Sequence, residues 1–323
     1  MDISCHPGVR PGLNRPLVII GHVGFATEQT AHGSVTATGG SGFAVAFAAA
    51  ALLNGVGLVA QVGQDFGLEI LQGLGIGVEG VAVLPGASAR FRIEQERDSC
   101  LSFSSDLGVA AEPSFDAFPA SYFQARFVHL GSAPPRQQLA WLEFLRAKGC
   151  QAQLSVDMFE PFVAAEPEAC RAACARADFI FLTQTECQGL YRDRAHPPMP
   201  MIRKYGPGGA EYLAPGVQIR IPAPAADEVD PIGAGEILAG VFLALRAQGL
   251  AAEPALTYAV AAAARSVTEF GVAGPAVAGE LRRIRAELGS RLVAGAPLDL
   301  SLGSGRRLGA PGRSPGPGGD RWT

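Results

Sequence analysis

Short apolar runs of strand length recur along the chain: Pro16 to Gly21, Val56 to Val62, Phe127 to Leu130, Gln153 to Val156, Phe179 to Leu182 and, more weakly, Pro200 to Arg203. A strand that reads as an apolar run rather than an alternation is covered on both faces, as in a parallel sheet. Helical patterns lie between several of them, at Gln137 to Lys148, Glu166 to Ala177 and Glu186 to Arg192. Strands alternating with helices build βαβ units, so the class expected is α/β, with a central, mainly parallel sheet and helices on both faces. From Pro222 onward the pattern is helical: Gly235 to Gln248, Ala255 to Phe270 and Gly279 to Leu292.

Gly42 to Ala60 is nearly free of polar side chains, and about 20 apolar residues suffice to span a bilayer. Asn54-Gly55-Val56-Gly57 divides the stretch instead into a buried helix, a turn and a buried strand. Thr27 to Thr38 and Ser88 to Phe103 break the rhythm, being more polar, and Ala89-Arg90-Phe91-Arg92-Ile93-Glu94 alternates. Alternation suits a strand with one wet face, so these segments predict a small β lid projecting from the main sheet. The expected organisation is an N-terminal extension over 1–15, an α/β domain over 16–295 and a tail over 296–323. The Gly, Pro and Arg content of that tail predicts disorder.

A chain of 323 residues, 17% charged and with net charge −4, has length for a large core but no block of basic residues. That argues against nucleic acid or a membrane surface and leaves a small molecule as the expected partner. Six cysteines show no Cys-x-x-Cys spacing, and the N-terminal segment lacks a hydrophobic signal region, so a reduced, cytoplasmic protein is expected. Cys170 and Cys174 could share a helix face, but no His sits at ligand spacing, and packing is the simpler account.

Val229 to Gly240 reads Val-Asp-Pro-Ile-Gly-Ala-Gly-Glu-Ile-Leu-Ala-Gly. A strand, a Gly-rich turn and a helix in that order place backbone N–H groups at a helix N-terminus, where free donors and the dipole favour an anion. Gly233, Ala234 and Gly235 have no bulk to block a phosphate. Glu236, in the first helical turn, is placed to accept a proton from an attacking hydroxyl. The same residues also read as simple helix entry, with Gly233 as N-cap and Glu236 reaching back in a capping box. The turn alone does not separate these readings.

Three further Gly-containing elements precede it: Gly39-Gly40-Ser41-Gly42, Val62-Gly63-Gln64-Asp65-Phe66-Gly67 and Lys204-Tyr205-Gly206-Pro207-Gly208-Gly209. With Asp230 to Glu236, their order and spacing resemble the ribokinase-like, or PfkB, family of carbohydrate and nucleoside kinases, over roughly residues 16 to 290. The resemblance implies a ribokinase-like fold and transfer of the γ-phosphoryl group of ATP, with Mg²⁺, to a hydroxyl or hydroxymethyl group. By similarity, Gly233, Ala234 and Gly235 form the anion hole and Glu236 is the base. Thr183 and Glu186 fall on an Asn-x-x-Glu element that orders Mg²⁺ through water. Lys204, Gly206, Gly209 and Asp230 border the triphosphate, and the helix around Ala262 to Ser266 closes the adenine side. Gly39, Gly40 and Asp65 fall in the substrate half beneath the lid, through which relatives commonly form homodimers. Asp157 ends a strand, where open α/β sheets bind ligands, and His22 follows the first strand, so both join the acceptor-side candidates.

Departures from the family pattern cluster around the acceptor. Ala26 stands where the family usually has an Asp for sugar hydroxyls and Ala44 where it has an Asn; Asp157-Met-Phe159-Glu-Pro161 replaces Asp-x-Asn-x-Arg. Each lost charge-assisted hydrogen bond is worth about 1.5–3 kcal/mol, so an ordinary hexose or ribose fits poorly. Phe25, Phe43, Phe159 and Phe162 would line an apolar pocket for a less hydroxylated or aromatic acceptor, or else be ordinary core. On the phosphate side Thr183 replaces Asn, Asp230-Pro231-Ile232 replaces Asp-Thr-x, and Glu236 replaces the usual Asp. A reacting group misplaced by about 1 Å can cost about 10²-fold in rate. The function expected is phosphorylation of an atypical acceptor. The alternatives are an inactive ribokinase-fold regulator or scaffold, and an enzyme of another class using Glu236 as acid or base.

Overall fold

The computed structural model describes residues 15–30, 32–95, 101–191 and 199–294. The expected tail, Cys5, Cys100 and nearly all of the N-terminal extension lie outside them.

The chain enters the main sheet with β1 (Leu17–Ile20) and then leaves it for β2 (Gly24–Thr30) and β3 (Gly33–Gly39). It returns through α1 (Ser41–Leu52), β4 (Val56–Gly63), α2 (Glu69–Gly73) and β5 (Gly77–Leu84). A second excursion builds β6 (Ala89–Gln95) and β7 (Leu101–Asp106). Alternating units follow: β8 (Phe127–Leu130), α3 (Pro135–Ala147), β9 (Gln153–Asp157), α4 (Glu160–Ala165), α5 (Pro167–Arg176), β10 (Phe179–Thr183), α6 (Gln184–Tyr191) and β11 (Met201–Lys204). The hairpin of β12 (Ala210–Ala214) and β13 (Val217–Ile221) closes one edge, and α7 (Ala234–Ala247), α8 (Ala252–Ser266) and α9 (Pro275–Ala294) end the described chain.

The main sheet runs β13-β12-β11-β10-β9-β8-β1-β4-β5, parallel except at the β12 and β13 edge. β1 lies between β4 and β8, with Leu17 opposite Val56 and Phe127. Successive β1 residues serve different cores: Leu17 and Ile19 pack with α1 and α7, whereas Val18 and Ile20 pack with the side chains of α3. Burial on both faces is what the apolar run predicted. The lid is a separate sheet, β3-β2-β6-β7, with β2 and β6 parallel.

Helices α1 and α7 set the geometry of the site. Val45 and Phe47 of α1 and Ile237, Val241 and Leu245 of α7 are buried together, each full burial contributing about 1.5–3 kcal/mol. Gly240 allows the contact, since a Cβ there would sit 2.4 Å from the Val45 carbonyl oxygen. The two helices thereby bring their N-caps, Gly40 and Gly233, to one cleft.

Several expectations are corrected. No strand leads into the Gly-rich turn: the amides of Val229 and Asp230 donate to the Val267 carbonyl oxygen, at 2.8 and 3.1 Å, so the C-terminal end of α8 takes the place of a neighbouring strand. The helix expected at Glu166 to Ala177 begins at Pro167, which lacks the N–H needed to continue from α4 and suits a first helical position instead. Strand β5 and the β12–β13 hairpin were not anticipated. Among the described residues no helix is long and apolar enough to cross a membrane.

Candidate active site

The Gly-rich turn is built by its backbone. Gly233 has φ +79°, and a Cβ there would fall 2.0 Å from Val272 Cγ1, so only glycine fits. Buried Asp230 folds the turn, its Oδ1 accepting from the Ile232 amide at 3.1 Å and its Oδ2 from the Gly271 amide at 3.2 Å. The Ala234 amide donates to Pro231 and that of Ile237 to Gly233. Between them the amides of Gly235 and Glu236 have no acceptor among the described residues. Two free donors at the positive end of α7 suit an anion. The Gly233 cap carries no side-chain bond, and Glu236 is turned to the cleft.

Lys204, at the end of β11, lies against this turn: a Cβ on Gly235 would be 3.1 Å from its Nζ. The ammonium donates to both carboxylate oxygens of Asp157, at 2.7 and 2.9 Å, at the end of β9. Burial alone would lower the Lys204 pKa, but the carboxyls of Asp157, Glu186 and Glu236 outweigh it and hold the ammonium charged. Asp157 is 1% exposed and is the counterion that fixes Lys204 in place. Thr183 and Glu186 form a reciprocal capping box on α6: the Thr183 amide donates to Glu186 Oε2 at 2.7 Å, and the Glu186 amide donates to Thr183 Oγ1 at 3.1 Å. Burial raises the Glu186 pKa, opposed by Lys204.

No group of three or more His, Cys, Asp or Glu side chains arranged to hold a metal occurs among the described residues. A Mg²⁺ ion carried by phosphates and water, with one carboxylate such as Glu186 nearby, fits this donor set; a dedicated protein cage does not.

The cleft, about 700 Å³ when the solvent-open space at its mouth is included, lies between the lid and the main sheet. Ala26 and Glu28 of β2, Phe91 and Ile93 of β6, Phe103 and Ser105 of β7 line its lid side. His22, Gly39, Gly40, Ala44, Phe159, Phe162, Gly233 and Glu236 are among the residues that line the rest of it. Phe103 packs edge-on against Phe159 with ring centroids 4.8 Å apart, and Phe159 lies 5.7 Å from Phe162, so an aromatic cluster joins lid to main domain. Burial lowers the His22 pKa, and its Nε2 meets Gln137 Oε1 at 3.1 Å, an arrangement for a neutral ring donating to that amide oxygen.

The structure therefore brings Gly39, Gly40, His22, Gly233 and Glu236 into one cleft, with Ala234, Gly235, Lys204, Asp157 and the Thr183–Glu186 element behind it. Other expected residues lie elsewhere. Phe43 is 2% exposed and stacks on Phe47 in the core, because α1 buries that face. Phe25 packs on Phe66 beneath the Arg90 guanidinium, so only Phe159 and Phe162 of the four phenylalanines line the cleft. Asp65 accepts hydrogen bonds from the Ser88 amide and hydroxyl and from Arg90, which commits it to the base of the lid. Asp157 is committed to Lys204 rather than to the cleft. Ala262 is buried core, and Ser266 Oγ donates to the Ala263 carbonyl within α8. Gly206 and Gly209 shape the turn between β11 and β12, with φ +55° and +87°. Sequence reasoning missed Glu28, Phe91 and Phe103 of the lid; the alternation of β6 was the available signal for Phe91.

A profile of the pfkB family of carbohydrate kinases matches residues 18–278. The cytidine kinase of Thermococcus kodakarensis is 28% identical over 250 residues, covering 72% of this chain and 89% of that one. The adenosine kinase of Sinorhizobium meliloti shares the fold at TM-score 0.73 and 17% identity, over 84% of this chain and 99% of its own. Fructokinase of Xylella fastidiosa, solved with bound ATP, does so at TM-score 0.68 and 18% identity, over 85% and 99%.

Proposed function

Because the chain belongs to the pfkB family of carbohydrate kinases, we propose that it transfers the γ-phosphoryl group of ATP to a hydroxymethyl group on an acceptor with a flat, apolar end, of which a nucleoside is the class that fits best. One observation carries this reading: Glu236 and the first turn of α7 open into the same cleft as Phe91, Phe103, Phe159 and Phe162. Half-buried rings of that kind suit stacking on an aromatic base. The cytidine kinase relative acts on an acceptor of this class by its name, which supports the assignment.

In the reaction, the Glu236 carboxylate takes the proton of the acceptor hydroxyl as its oxygen bonds to the γ-phosphorus. The bond from that phosphorus to the bridging oxygen breaks, and ADP leaves. The Gly235 and Glu236 amides and the Lys204 ammonium face charge building on the transferred group, the electrostatic stabilisation that phosphoryl transfer demands. Asp157 keeps Lys204 from drifting, and Thr183 orients Glu186. Mg²⁺, when bound with the nucleotide, would neutralise phosphate charge beside Glu186.

Purified protein incubated with Mg-ATP and a panel of nucleosides, sugars and polyols tests this by ADP release. ADP formed with a nucleoside, and lost with Glu236→Gln, is the expected result. No acceptor-dependent ADP, or turnover unchanged in Glu236→Gln, refutes it.

A further inference from the structure

Glu28 is a carboxyl group in the wrong place for a structural role. It lies in the middle of β2, opposite Val35 and Ile93, and is 5% exposed. Its side chain lines the cleft, yet its Oε2 has no hydrogen-bond partner among the described residues. A buried carboxyl kept for stability is paired with a cation or with N–H donors. The groups that act on the charge of Glu28 are instead the carboxyls of Asp230 and Glu236. Burial first, then a hydrogen bond and repulsion from Asp230, then repulsion from Glu236 push its pKa up to about 8.

Its position supplies the reason. Side chains two residues apart on a strand share a face, about 7 Å apart, and Ala26 and Glu28 both line the cleft. Ala26 occupies the place where the family pattern has an aspartate. Glu28 places a carboxyl two residues along the same strand, in the same cleft as the Gly-rich turn.

We infer that Glu28 is the polar anchor of the acceptor site, accepting the O–H of a second acceptor hydroxyl close to the one that is phosphorylated. The acceptor therefore carries at least two neighbouring hydroxyl groups at one end, as a sugar or diol does, and its apolar remainder lies among the phenylalanines. The assignment leans on the kinase reading only for which hydroxyl reacts.

Calorimetric binding of ribonucleosides, polyols and their deoxygenated counterparts, such as 2′,3′-dideoxynucleosides, to wild type, Glu28→Ala and Glu28→Gln tests it. At least one hydroxylated ligand is expected to bind wild type about 10-fold or more tightly than Glu28→Ala, while its deoxygenated counterpart binds both alike. Glu28→Gln, which keeps the side-chain shape, is expected to melt no lower than wild type, since it removes a buried group without a compensating partner. No hydroxylated ligand distinguishing the proteins, or a general loss of folding in Glu28→Gln, overturns the inference. A ligand that distinguishes them but is never phosphorylated keeps Glu28 and removes the kinase reading. A phosphorylated nucleoside indifferent to Glu28 does the reverse.

Discussion

On the proposed reading the cleft has a phosphate side and an acceptor side, and the two are held together by different physics. Backbone amides, a helix terminus and the Lys204–Asp157 ion pair define the phosphate side, with Glu186 and Glu236 nearby. Rings and methyl groups define the acceptor side, where Glu28, Glu236, His22 and a few serines are the polar interruptions. A phosphoryl group presents the same charge and geometry whatever the acceptor, so its receptor tolerates little change. An acceptor pocket assembled from side chains can be rebuilt residue by residue without disturbing the turn that faces it.

The contrast is tested most severely at Glu236. Replacing it with Gln removes the proposed base while keeping size, and kcat is expected to fall about 10²–10⁴-fold with acceptor KM little changed. An equal effect on KM would mean that Glu236 belongs to acceptor binding and that the two sides are not separable. Lys204→Met comes next: removing one partner of a buried pair destabilises by about 3–5 kcal/mol, measured by urea unfolding. Lowering the pH, which lets the stranded Asp157 take up a proton, is expected to recover part of that loss. Retained stability with unchanged nucleotide affinity would break the account of this side.

Glu28 gives the acceptor side its own pH signature. Its folded-state pKa lies near 8, well above the ordinary carboxyl value, so the folded protein binds this proton more tightly than the unfolded chain does. Its contribution is fully present below the ordinary value and declines as pH rises through the window up to about 8, by at most about 1.4 kcal/mol per pH unit. Thermal melts of wild type against Glu28→Gln are expected to diverge across that window and run parallel above it. Parallel curves throughout would show a normal carboxyl. A smaller effect is expected from Phe159→Ala, which trims one ring of the cluster: acceptor KM rises about 10-fold, with nucleotide KM unchanged. Sensitivity of the nucleotide term instead would place the rings on the phosphate side.

The same division explains what the sequence disclosed. The Gly-rich turn was legible because its devices are local: a glycine at positive φ, a helix start and a carboxylate fall within one short segment, Asp230 to Glu236. Most of the parallel sheet was legible for a similar reason, strands such as Leu17–Ile20 being apolar runs in themselves, whereas the half-exposed β5 is not one. Phe103 meets Phe159 and Phe162 only through tertiary structure, and no local pattern separates these three rings from Phe43, which went to the core. Glu28 reads as an ordinary lid residue until its burial is seen. The approach to the Gly-rich turn was misread as a strand because its hydrogen-bond partner, Val267, is far away in sequence and belongs to a helix end.

Asp65 supplies the finest test, because the family resemblance puts it in the substrate half while the structure commits it to Ser88 and Arg90. The Arg90–Asp65 pair, at 3.0 Å, is open to solvent, and the guanidinium also covers Phe25 at 5.2 Å. Exposed pairs of this kind contribute little and are screened by salt. Arg90→Ala is therefore expected to leave acceptor KM within error of wild type at low and high salt, with at most a slight drop in melting temperature from the uncovered ring. Should KM rise as far as in Phe159→Ala, and do so more strongly for an anionic acceptor, the lid base would be part of the acceptor site. Charge, and not only apolar shape, would then govern recognition on the side of the cleft that looks least polar.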